Sequence, residues 1–405
     1  MQKNTSLEEA QSLIFDYCPL TEKENNYLAD TLDRVLAEDI VARENIPPFS
    51  RSPYDGFVFR AEDTVGASEA NPVTFEVIEE VPAGYTAQNA VSKGQAIKIL
   101  TGAPIPEGAD AVAKFEEVEV QGSKISVSKA FMHGEDIVPA GEDIAVGDLI
   151  AAEGTVVTAP LMGLMASLGV AEVLVYKRPK IAIISTGDEL RDVTEPLAPG
   201  KIRNSNSYTL QGYLRSLGAE PVVMGICKDK KEDVAALVEE AWKHSELVLT
   251  TGGVSVGDYD VIRHAADYLG AETLFWKIEI KPGSPCLAAV KDGKMLIGLS
   301  GNPAAAMVTF QLMAVPYIKK MTGRKDYCYR KIEVTLKKDF RKPSPRRRFL
   351  RGRMLYENGM VIMESTGEQG NGVLRSMLGC DILAEIPEKS GPVKAGEKLT
   401  AYIIE

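Results

Sequence analysis

The chain has 405 residues, of which 45% are apolar and 25% charged, which is typical of a soluble globular protein with roughly two to four domains. Its net charge of −11 argues against general nucleic-acid binding, no apolar run approaches the roughly 20 residues of a membrane span, and no secretion signal opens the sequence, so we predict a cytoplasmic protein. The five cysteines form no CxxC pair and the three histidines are isolated, which argues against a disulfide framework, a zinc site and histidine-based catalysis.

The N-terminal half predicts a β domain inserted into a helical linker domain. Ser6 and Glu9 form a capping box before a helix that reaches Tyr17, and a second helix fits residues 25–38. A proline-rich boundary is followed by short strands and turns, and an apolar helix over 158–170 is expected to pack back on the first helices. We therefore predict a discontinuous linker domain, 1–46 plus 147–178, around a β domain at 47–146.

From Arg178 onward, apolar strands alternate with helices, which predicts a parallel, doubly wound α/β domain at 179–324. Asp292-Gly293 and Asn358-Gly359 are typical of hairpin turns. A long helix begins at Pro303 with Asn302 as its N-cap. Alternating strands after Lys325 predict a small C-terminal β domain at 325–405.

Four junctions between strands and loops of the α/β domain carry polar chemistry. Since ligands of such sheets bind at the carboxyl ends of the strands, these junctions are expected to converge. They are "STGDEL" (185–190), "TTGGVSVGDYD" (250–260), "WKIEIKPGSP" (276–285) and "GLSGNPAAA" (298–306). Glycines at a strand end leave backbone N–H groups open to phosphate oxygens, and aspartates are suitable ligands for Mg²⁺. A helix N-terminus attracts anions.

Each junction by itself also has an ordinary structural explanation. These are a glycine-rich turn, a capped helix start with acids near the dipole, a strand with surface lysines, and a capped helix. The combination of all four in one α/β unit is what favours a phosphate and metal site. In the β domain, Asp55, Thr101 and the acidic loop that contains Asp143 have no spacing that alone makes them catalytic.

Seven stretches, taken together and in chain order, resemble the molybdopterin molybdenumtransferase family, whose relatives include the C-terminal portion of gephyrin. They are "PPFSRSPYDGF", "LTGAPIPEGADAV", "AGEDI", "STGDEL", "GGVSVGDYD", "KPGSP" and "SGNPAA". The resemblance extends from about Pro47 to Asn371. "STGDEL" and "GGVSVGDYD" are shared with one-domain molybdopterin adenylyltransferases, whereas "YDGF" and "LTGAPIPEGAD" are specific to the larger family.

The resemblance implies a multidomain α/β protein, with a helical linker domain, a β domain, a molybdopterin-binding-like α/β domain and a C-terminal β-barrel, in an elongated homodimer. It implies the insertion of molybdate into adenylylated molybdopterin with Mg²⁺ and release of AMP. It also makes a molybdopterin adenylyltransferase and molybdoenzyme maturation factors expected partners, with no role for nucleic acid or a membrane.

The resemblance also assigns residues. The catalytic group is Asp55, Thr101, Asp143, Glu189, Lys277 and Lys281. The metal ligands are Glu189, Asp229, Asp258 and Asp260. The residues that bind the pterin nucleotide or the oxyanion are Gly252, Gly253, Ser255, Gly257, Ser284, Pro285, Gly301, Asn302, Pro303, Arg351 and Asn371. Asp55, Thr101 and Asp143 are expected to face the α/β domain of the partner subunit.

The sequence departs from the family pattern in the expected oxyanion pocket. Ser284 stands where a lysine is common, Ser300 replaces a proline, and Asn371 replaces a serine. Two alternatives therefore stay open: a paralogue that uses tungstate or another oxyanion, and a non-catalytic pterin-binding scaffold. Compensation is expected from the arginine-rich segment 346–353, chiefly from Arg351, because arginine binds oxyanions in a bidentate manner. The other arginines there (Arg346, Arg347, Arg348 and Arg353) are equally well explained as a solvated strand face.

Overall fold

The computed structural model describes residues 5–254 and 260–404. Its first helix, α1 (Leu7–Asp16), begins after Ser6, whose Oγ accepts a hydrogen bond from the Glu9 N–H at 3.2 Å. Leu7, Ala10 and Ile14 are buried in the same cluster as the strands of the α/β domain. The helix predicted at the N-terminus is thus present, but it packs in the α/β core and not against the linker strands, with which the sequence had grouped it.

The β domain lies between two parts of the linker. In chain order the elements are β1 (Lys23–Tyr27), β2 (Ile40–Val41), β3 (Gly56–Phe59), β4 (Val73–Val81), β5 (Gln95–Ile99), β6 (Ala111–Lys114), β7 (Val118–Gln121), β8 (Lys124–Val127), β9 (Leu149–Ala151), α2 (Ala159–Ser167) and β10 (Glu172–Tyr176). Strands β3 to β8 form one sheet in the order β6-β3-β5-β4-β8-β7, packed around phenylalanines such as the stacked pair Phe59 and Phe75.

The second predicted helix, over 25–38, is wrong. β1 pairs antiparallel with β10 and β2 with β9, and a single 3-10 turn, Leu28–Asp30, separates β1 from the following loop. Asp33 has a left-handed backbone with φ of 62°, which interrupts any helix there. The apolar spacing that suggested a helix serves instead to bury Val35 and Leu36 against the linker strands and α2.

The α/β domain follows. Its elements are β11 (Lys180–Thr186), β12 (Leu190–Arg191), β13 (Ile202–Arg203), α3 (Ser205–Ser216), β14 (Glu220–Cys227), α4 (Lys231–His244), β15 (Leu247–Thr251), α5 (Val261–Tyr268), β16 (Glu272–Trp276), β17 (Ile280–Lys281), β18 (Leu287–Lys291), β19 (Lys294–Leu299), α6 (Pro303–Thr309), a π-helical segment (Phe310–Ala314) and α7 (Val315–Met321). The main sheet has the order β14-β11-β15-β19-β18-β16.

This sheet is doubly wound, with α1, α3, α6 and α7 on one face and α4 and α5 on the other. β14, β11, β15 and β19 are parallel, as predicted, whereas β18 runs antiparallel to both neighbours. β18 turns directly into β19 through Asp292 and Gly293, whose φ angles of 50° and 76° suit a tight hairpin.

The register of β18 decides what meets at the carboxyl edge of the sheet. Leu287, at the start of β18, pairs with Gly298 near the end of β19, and on its other side with Trp276 at the end of β16. The segment 277–286 therefore lies at the edge where β11, β14, β15 and β19 end.

The C-terminal region is a β-barrel, as predicted. Its strands are β20 (Lys331–Leu336), β21 (Arg347–Glu357), β22 (Met360–Ser365), β23 (Ile382–Ile386) and β24 (Lys398–Ile403). Within the described part of the chain, these five close in the order β21-β22-β20-β24-β23 and back to β21. β17 pairs parallel with β21, which joins the barrel to the carboxyl edge of the α/β sheet.

None of the helices in residues 5–254 and 260–404 combines the length and the apolar character that a membrane crossing requires.

Candidate functional site

The two adjacent glycines after β15 allow three strand ends to pack closely. Gly252 and Gly253 have φ angles of 88° and 66°, and a Cβ on Gly252 would lie 2.3 Å from the Thr186 carbonyl oxygen. A Cβ on Gly253 would lie 2.8 Å from Thr186 Oγ1, and one on Gly301 would lie 3.4 Å from the Gly252 Cα. The glycines thus serve the close approach of the ends of β11, β15 and β19. Of the neighbouring site predictions, Ser255, Gly257 and Asp258 lie outside the described residues.

Carboxylates cluster where β11 and β14 end. Asp229 follows β14 and has an exposed side chain, and its pKa is raised, first by partial desolvation and then by the negative charges of Glu189 and Asp188. The Glu189 carboxylate lies over Gly187, where a Cβ would be 2.7 Å from Glu189 Oε2. Among the described residues, no three His, Cys, Asp or Glu side chains are arranged so that they alone could hold a metal ion. The sequence assigned Glu189 and Asp229 as metal ligands but gave no such role to Asp188, which is the acid beside Glu189 in "STGDEL".

Asp260 caps the helix that follows the glycine loop. Its side chain is 1% exposed, and Oδ1 accepts a hydrogen bond from the Arg263 N–H at 3.2 Å, the N-cap geometry for α5. Within residues 5–254 and 260–404, Oδ2 has no hydrogen-bond partner. Burial raises the pKa of Asp260, an effect that the Arg263 backbone N–H partly offsets. The Trp276 side chain also lowers this pKa, although its indole N–H does not reach hydrogen-bond geometry with Oδ2. This carboxylate therefore has a structural role through Oδ1.

The segment between β16 and β18 presents the two predicted lysines. Lys277 has a φ of 104°, and its Nζ lies 4.7 Å from the centroid of the Trp276 ring. The turn that follows is fixed by backbone hydrogen bonds from Ile278 to Ser284 and from Lys277 to Cys286. The Lys281 side chain is exposed at this turn.

This turn and the barrel line a cleft of about 250 Å³. Its polar wall residues are Lys281, Ser284, Arg346 and Asn371, with Pro282, Pro285 and Pro345 beside them. Arg346 Nη1 donates a hydrogen bond to Ser284 Oγ at 3.2 Å. The structure thus brings together four of the residues assigned from the sequence, Lys281, Ser284, Pro285 and Asn371, and places Arg346 beside them.

The N-terminus of α6 is tied to the barrel. Asn302 and Pro303 occupy the predicted cap and first positions. The Asn302 N–H donates to Ser300 Oγ at 3.3 Å, and the Ala305 N–H donates to the Asn371 carbonyl at 3.1 Å. These two backbone donors already have partners, so the main effect of the helix start is to hold Asn371 at the cleft.

Arg351 lies beneath the barrel loop rather than in the cleft wall. It is 0% exposed, and Nη2 donates to the carbonyls of Glu368 and Gly370 at 3.4 and 3.1 Å. Burial lowers its pKa to about 10. Nε and Nη1 have no hydrogen-bond partner among the described residues. In this conformation the two hydrogen bonds of Arg351 hold the loop that carries Asn371.

The predicted residues of the β domain make their hydrogen bonds within the N-terminal half of the chain. Asp55 Oδ1 accepts hydrogen bonds from the N–H and the Oγ1 of Thr101, at 2.7 and 2.9 Å. The Thr101 backbone N–H is the largest factor that lowers the pKa of Asp55, so this exposed carboxylate is ionised at neutral pH. Asp143 is exposed, and its N–H donates to the Ile46 carbonyl. These hydrogen bonds all lie before residue 179, away from the α/β sheet.

A glycine substitution tests how the cleft turn is held. Gly283 has a φ of 92°, and a Cβ there would lie 2.0 Å from Thr309 Oγ1 and 3.0 Å from the Ala305 carbonyl oxygen. We expect Gly283→Ala to lower the free energy of unfolding by about 1–3 kcal/mol from backbone strain, and further from the clash with α6. The measurement is urea unfolding.

Gly293→Ala is the matched control for this change. Gly293 also has a positive φ, 76°, but nothing lies within 4 Å of its Cβ position. Gly293→Ala therefore measures the cost of backbone strain without a steric clash. Equal losses of stability in the two variants would contradict a tight contact between the turn and α6.

Consecutive parts of the chain match three described families. Residues 5–169 match the MoeA N-terminal region (domain I and II), 182–320 a probable molybdopterin binding domain, and 333–404 the MoeA C-terminal region (domain IV). The chain is similar to a Staphylococcus epidermidis protein named molybdopterin molybdenumtransferase, with 38% identity over 383 residues, 94% of this chain and 91% of the relative. A Staphylococcus aureus protein of the same name is 38% identical over 381 residues, 93% of this chain and 90% of the relative.

Solved structures match over the full length. A molybdopterin biosynthesis MoeA protein from Pyrococcus horikoshii has a TM-score of 0.84 and 34% identity, covering 99% of this chain and 100% of its own. Another structure of a MoeA protein from this genus has a TM-score of 0.88 and 32% identity, with both chains fully covered. The multidomain arrangement described above is therefore also that of these structures.

Proposed function

This chain belongs to the molybdopterin molybdenumtransferase family, and we propose that it inserts molybdate into adenylylated molybdopterin with release of AMP. The observation that carries the proposal is a meeting of groups at one edge of the α/β sheet. Three features lie at the ends of neighbouring strands or in the connections between them. They are the acids Glu189 and Asp229, the tightly packed Gly252 and the cationic cleft at Lys281. The reaction needs a metal, a phosphate-binding backbone and an oxyanion pocket, which these groups can supply.

The cleft suits a small tetrahedral anion. Lys281 offers an ammonium group, Ser284 a hydroxyl and Asn371 an amide, and the volume of about 250 Å³ exceeds what a single oxyanion needs. Charge-assisted hydrogen bonds from such donors bind dianions strongly. Molybdate held here would lie beside the loop of Gly252, where we place the pterin nucleotide.

Magnesium is part of this proposal. Partial desolvation raises the pKa of Asp229 most, and the negative charges of Glu189 and Asp188 raise it further. A divalent cation would relieve this repulsion between the carboxylates. Mg²⁺ is commonly held by one or two carboxylates together with substrate phosphates and water, so it does not need a complete cage of protein ligands. Glu189 and Asp229 would hold it. Asp260, whose Oδ2 is buried at the start of α5, would join them only after its side chain moves towards the ion. When bound, the ion would neutralise the phosphoanhydride that is cleaved to release AMP.

We propose further that the working form is a homodimer in which each site receives Asp55, Thr101 and Asp143 from the partner subunit. The hydrogen bonds of these three residues described above stay in the N-terminal half of the chain, which leaves Asp55 exposed. The linker also presents exposed apolar side chains: Val41 and Leu149, which pair between β2 and β9, are 46% and 59% exposed. A second subunit would cover these side chains.

Two activity measurements test the proposal. We expect the purified protein to release AMP from adenylylated molybdopterin only when both Mg²⁺ and molybdate are present. We also expect expression of the chain to restore molybdoenzyme activity in a strain that lacks its own transferase. A molybdopterin adenylyltransferase must supply the substrate in both experiments.

The outcomes separate the alternatives. Restoration with tungstate but not with molybdate would identify a paralogue with another oxyanion. Tight binding of the pterin nucleotide without AMP release, under any oxyanion, would identify a non-catalytic scaffold.

A further inference from the structure

We propose that Arg346 is a direct ligand of the oxyanion in the cleft and acts together with Ser284 as one binding unit. This inference deepens the proposed function and rests on it. It concerns a residue that, by sequence alone, is equally well explained as part of a solvated strand face. The contact between the guanidinium of Arg346 and the hydroxyl of Ser284 distinguishes it from the neighbouring arginines.

The pairing of the strands fixes the position of Arg346. β17 runs parallel to β21, with Ile280 opposite Arg347 and Lys281 opposite Arg348. Arg346 directly precedes β21, so its side chain reaches the turn that follows Lys281. The distance of 3.2 Å between Arg346 Nη1 and Ser284 Oγ is that of a hydrogen bond.

The direction of this hydrogen bond has a chemical consequence. Arginine has N–H donors and no acceptor, so the Ser284 oxygen must accept, and its own O–H remains free to donate. The guanidinium also keeps its other N–H donors. An anion in the cleft would therefore meet a hydroxyl proton and a planar cation side by side, which suits two oxygens of a tetrahedral oxyanion.

The other arginines of this segment are engaged elsewhere. Arg347 binds the carboxylates of Glu8 and Glu385, at 2.7 and 2.8 Å, and Arg353 binds Glu364 at 2.7 Å. Arg348 Nε donates to Ser344 Oγ at 2.9 Å, and its guanidinium stacks on Phe340.

The charge of the cleft is uncompensated. Among the described residues, Arg346 forms no ion pair with a carboxylate, and the lining contains Lys281 and Arg346 as its cations and no acid. In a chain with a net charge of −11, such a concentration of positive charge selects for an anion.

Isothermal titration of the full-length protein with sodium molybdate tests this inference. We expect Arg346→Ala to weaken binding by roughly ten- to a hundredfold, because a hydrogen-bonded charge is lost, and Arg346→Lys to recover part of the loss. Arg353→Ala is the control and should bind as wild type does, because Arg353 is an exposed arginine on β21, the strand that Arg346 directly precedes. Ser284→Lys in the Arg346→Ala background should restore binding, since it returns a cation to the same wall.

Each result has a clear meaning. Wild-type affinity in Arg346→Ala, while Lys281→Ala binds weakly, would overturn the role of Arg346 and leave the proposed function standing. No binding of molybdate by wild type would count against the proposed function itself, and the inference would fail with it. A parallel titration with inorganic phosphate completes the test: if Arg346→Ala weakens phosphate binding only, the cleft holds the substrate phosphate and the inference is wrong.

Discussion

Asp260→Asn is expected to reduce AMP release by about two orders of magnitude or more while the protein stays folded, because a metal ion contributes several kcal/mol to transition-state stabilisation. Asn and Asp are equally good N-caps, so the bond from the Arg263 N–H to the side chain at 260 can be kept. The change removes the negative charge, and with it the ability of Oδ2 to bind a metal ion. Oδ2 is the oxygen without a hydrogen-bond partner among the described residues.

The stability of this variant also follows from the environment of the carboxylate. Burial raises the pKa of Asp260 in the folded state, so the unfolded chain ionises first as the pH rises, and stability is lost above the pKa of the unfolded state. At neutral pH the ionised carboxylate therefore costs stability. Asp260→Asn removes that cost, and its free energy of unfolding should equal or exceed that of wild type.

Comparison of Asp260→Ala with Asp260→Asn separates the effect of the helix cap from the effect of the charge. The alanine variant loses both, so it should be inactive and also less stable than Asp260→Asn by about 0.5–2 kcal/mol. Ser6→Ala is a matched control, since Ser6 caps α1 through an equal distance of 3.2 Å to the Glu9 N–H. It should lose stability and keep its activity. Normal turnover of Asp260→Asn at saturating Mg²⁺ would reduce Asp260 to a helix cap.

The elements of the α/β domain could be predicted from the sequence because each has a strong local pattern. Buried strands such as β11 and β15 are short apolar runs, and α4 has a clear amphipathic period. The linker could not be predicted in this way. Its strand β1 is stable only because β10, about 150 residues later, pairs with it, and this partner has no local signature.

The residues of the candidate site differ in the same way: local sequence identifies some of them, and only the tertiary structure explains the others. The glycines at 252 and 253 were identifiable, but only the contacts with Thr186 explain them as a packing requirement. Arg346 could not be singled out from the other arginines of segment 346–353, since its contact with Ser284 depends on the pairing of β17 with β21, which are separated by about 65 residues. The burial of Arg351 likewise follows from barrel closure and not from its local sequence.

A mixture of two inactive variants, Asp55→Ala and Asp260→Asn, is expected to recover activity if the site is shared between subunits. In a symmetric dimer, each site would combine the β domain of one subunit with the α/β domain of the other. A heterodimer of the two variants would then have one site with both substitutions and one site with neither. Random exchange at equal amounts should restore about a quarter of the wild-type AMP release, because half of the dimers would carry one intact site of two.

The expected recovery of activity is zero if the site lies within one subunit. Every site in the mixture would then carry one of the two substitutions, and no activity would return. Asp55→Ala is a mild change for the fold, since the side chain is exposed and bonds only to Thr101 among the described residues. A mixture of Asp229→Asn with Asp260→Asn is the control, because both residues lie in the α/β domain and should fail to complement in either arrangement. Recovery in the first mixture and none in the second, with subunit exchange verified by mass spectrometry of the dimers, would assign Asp55 to the partner's site.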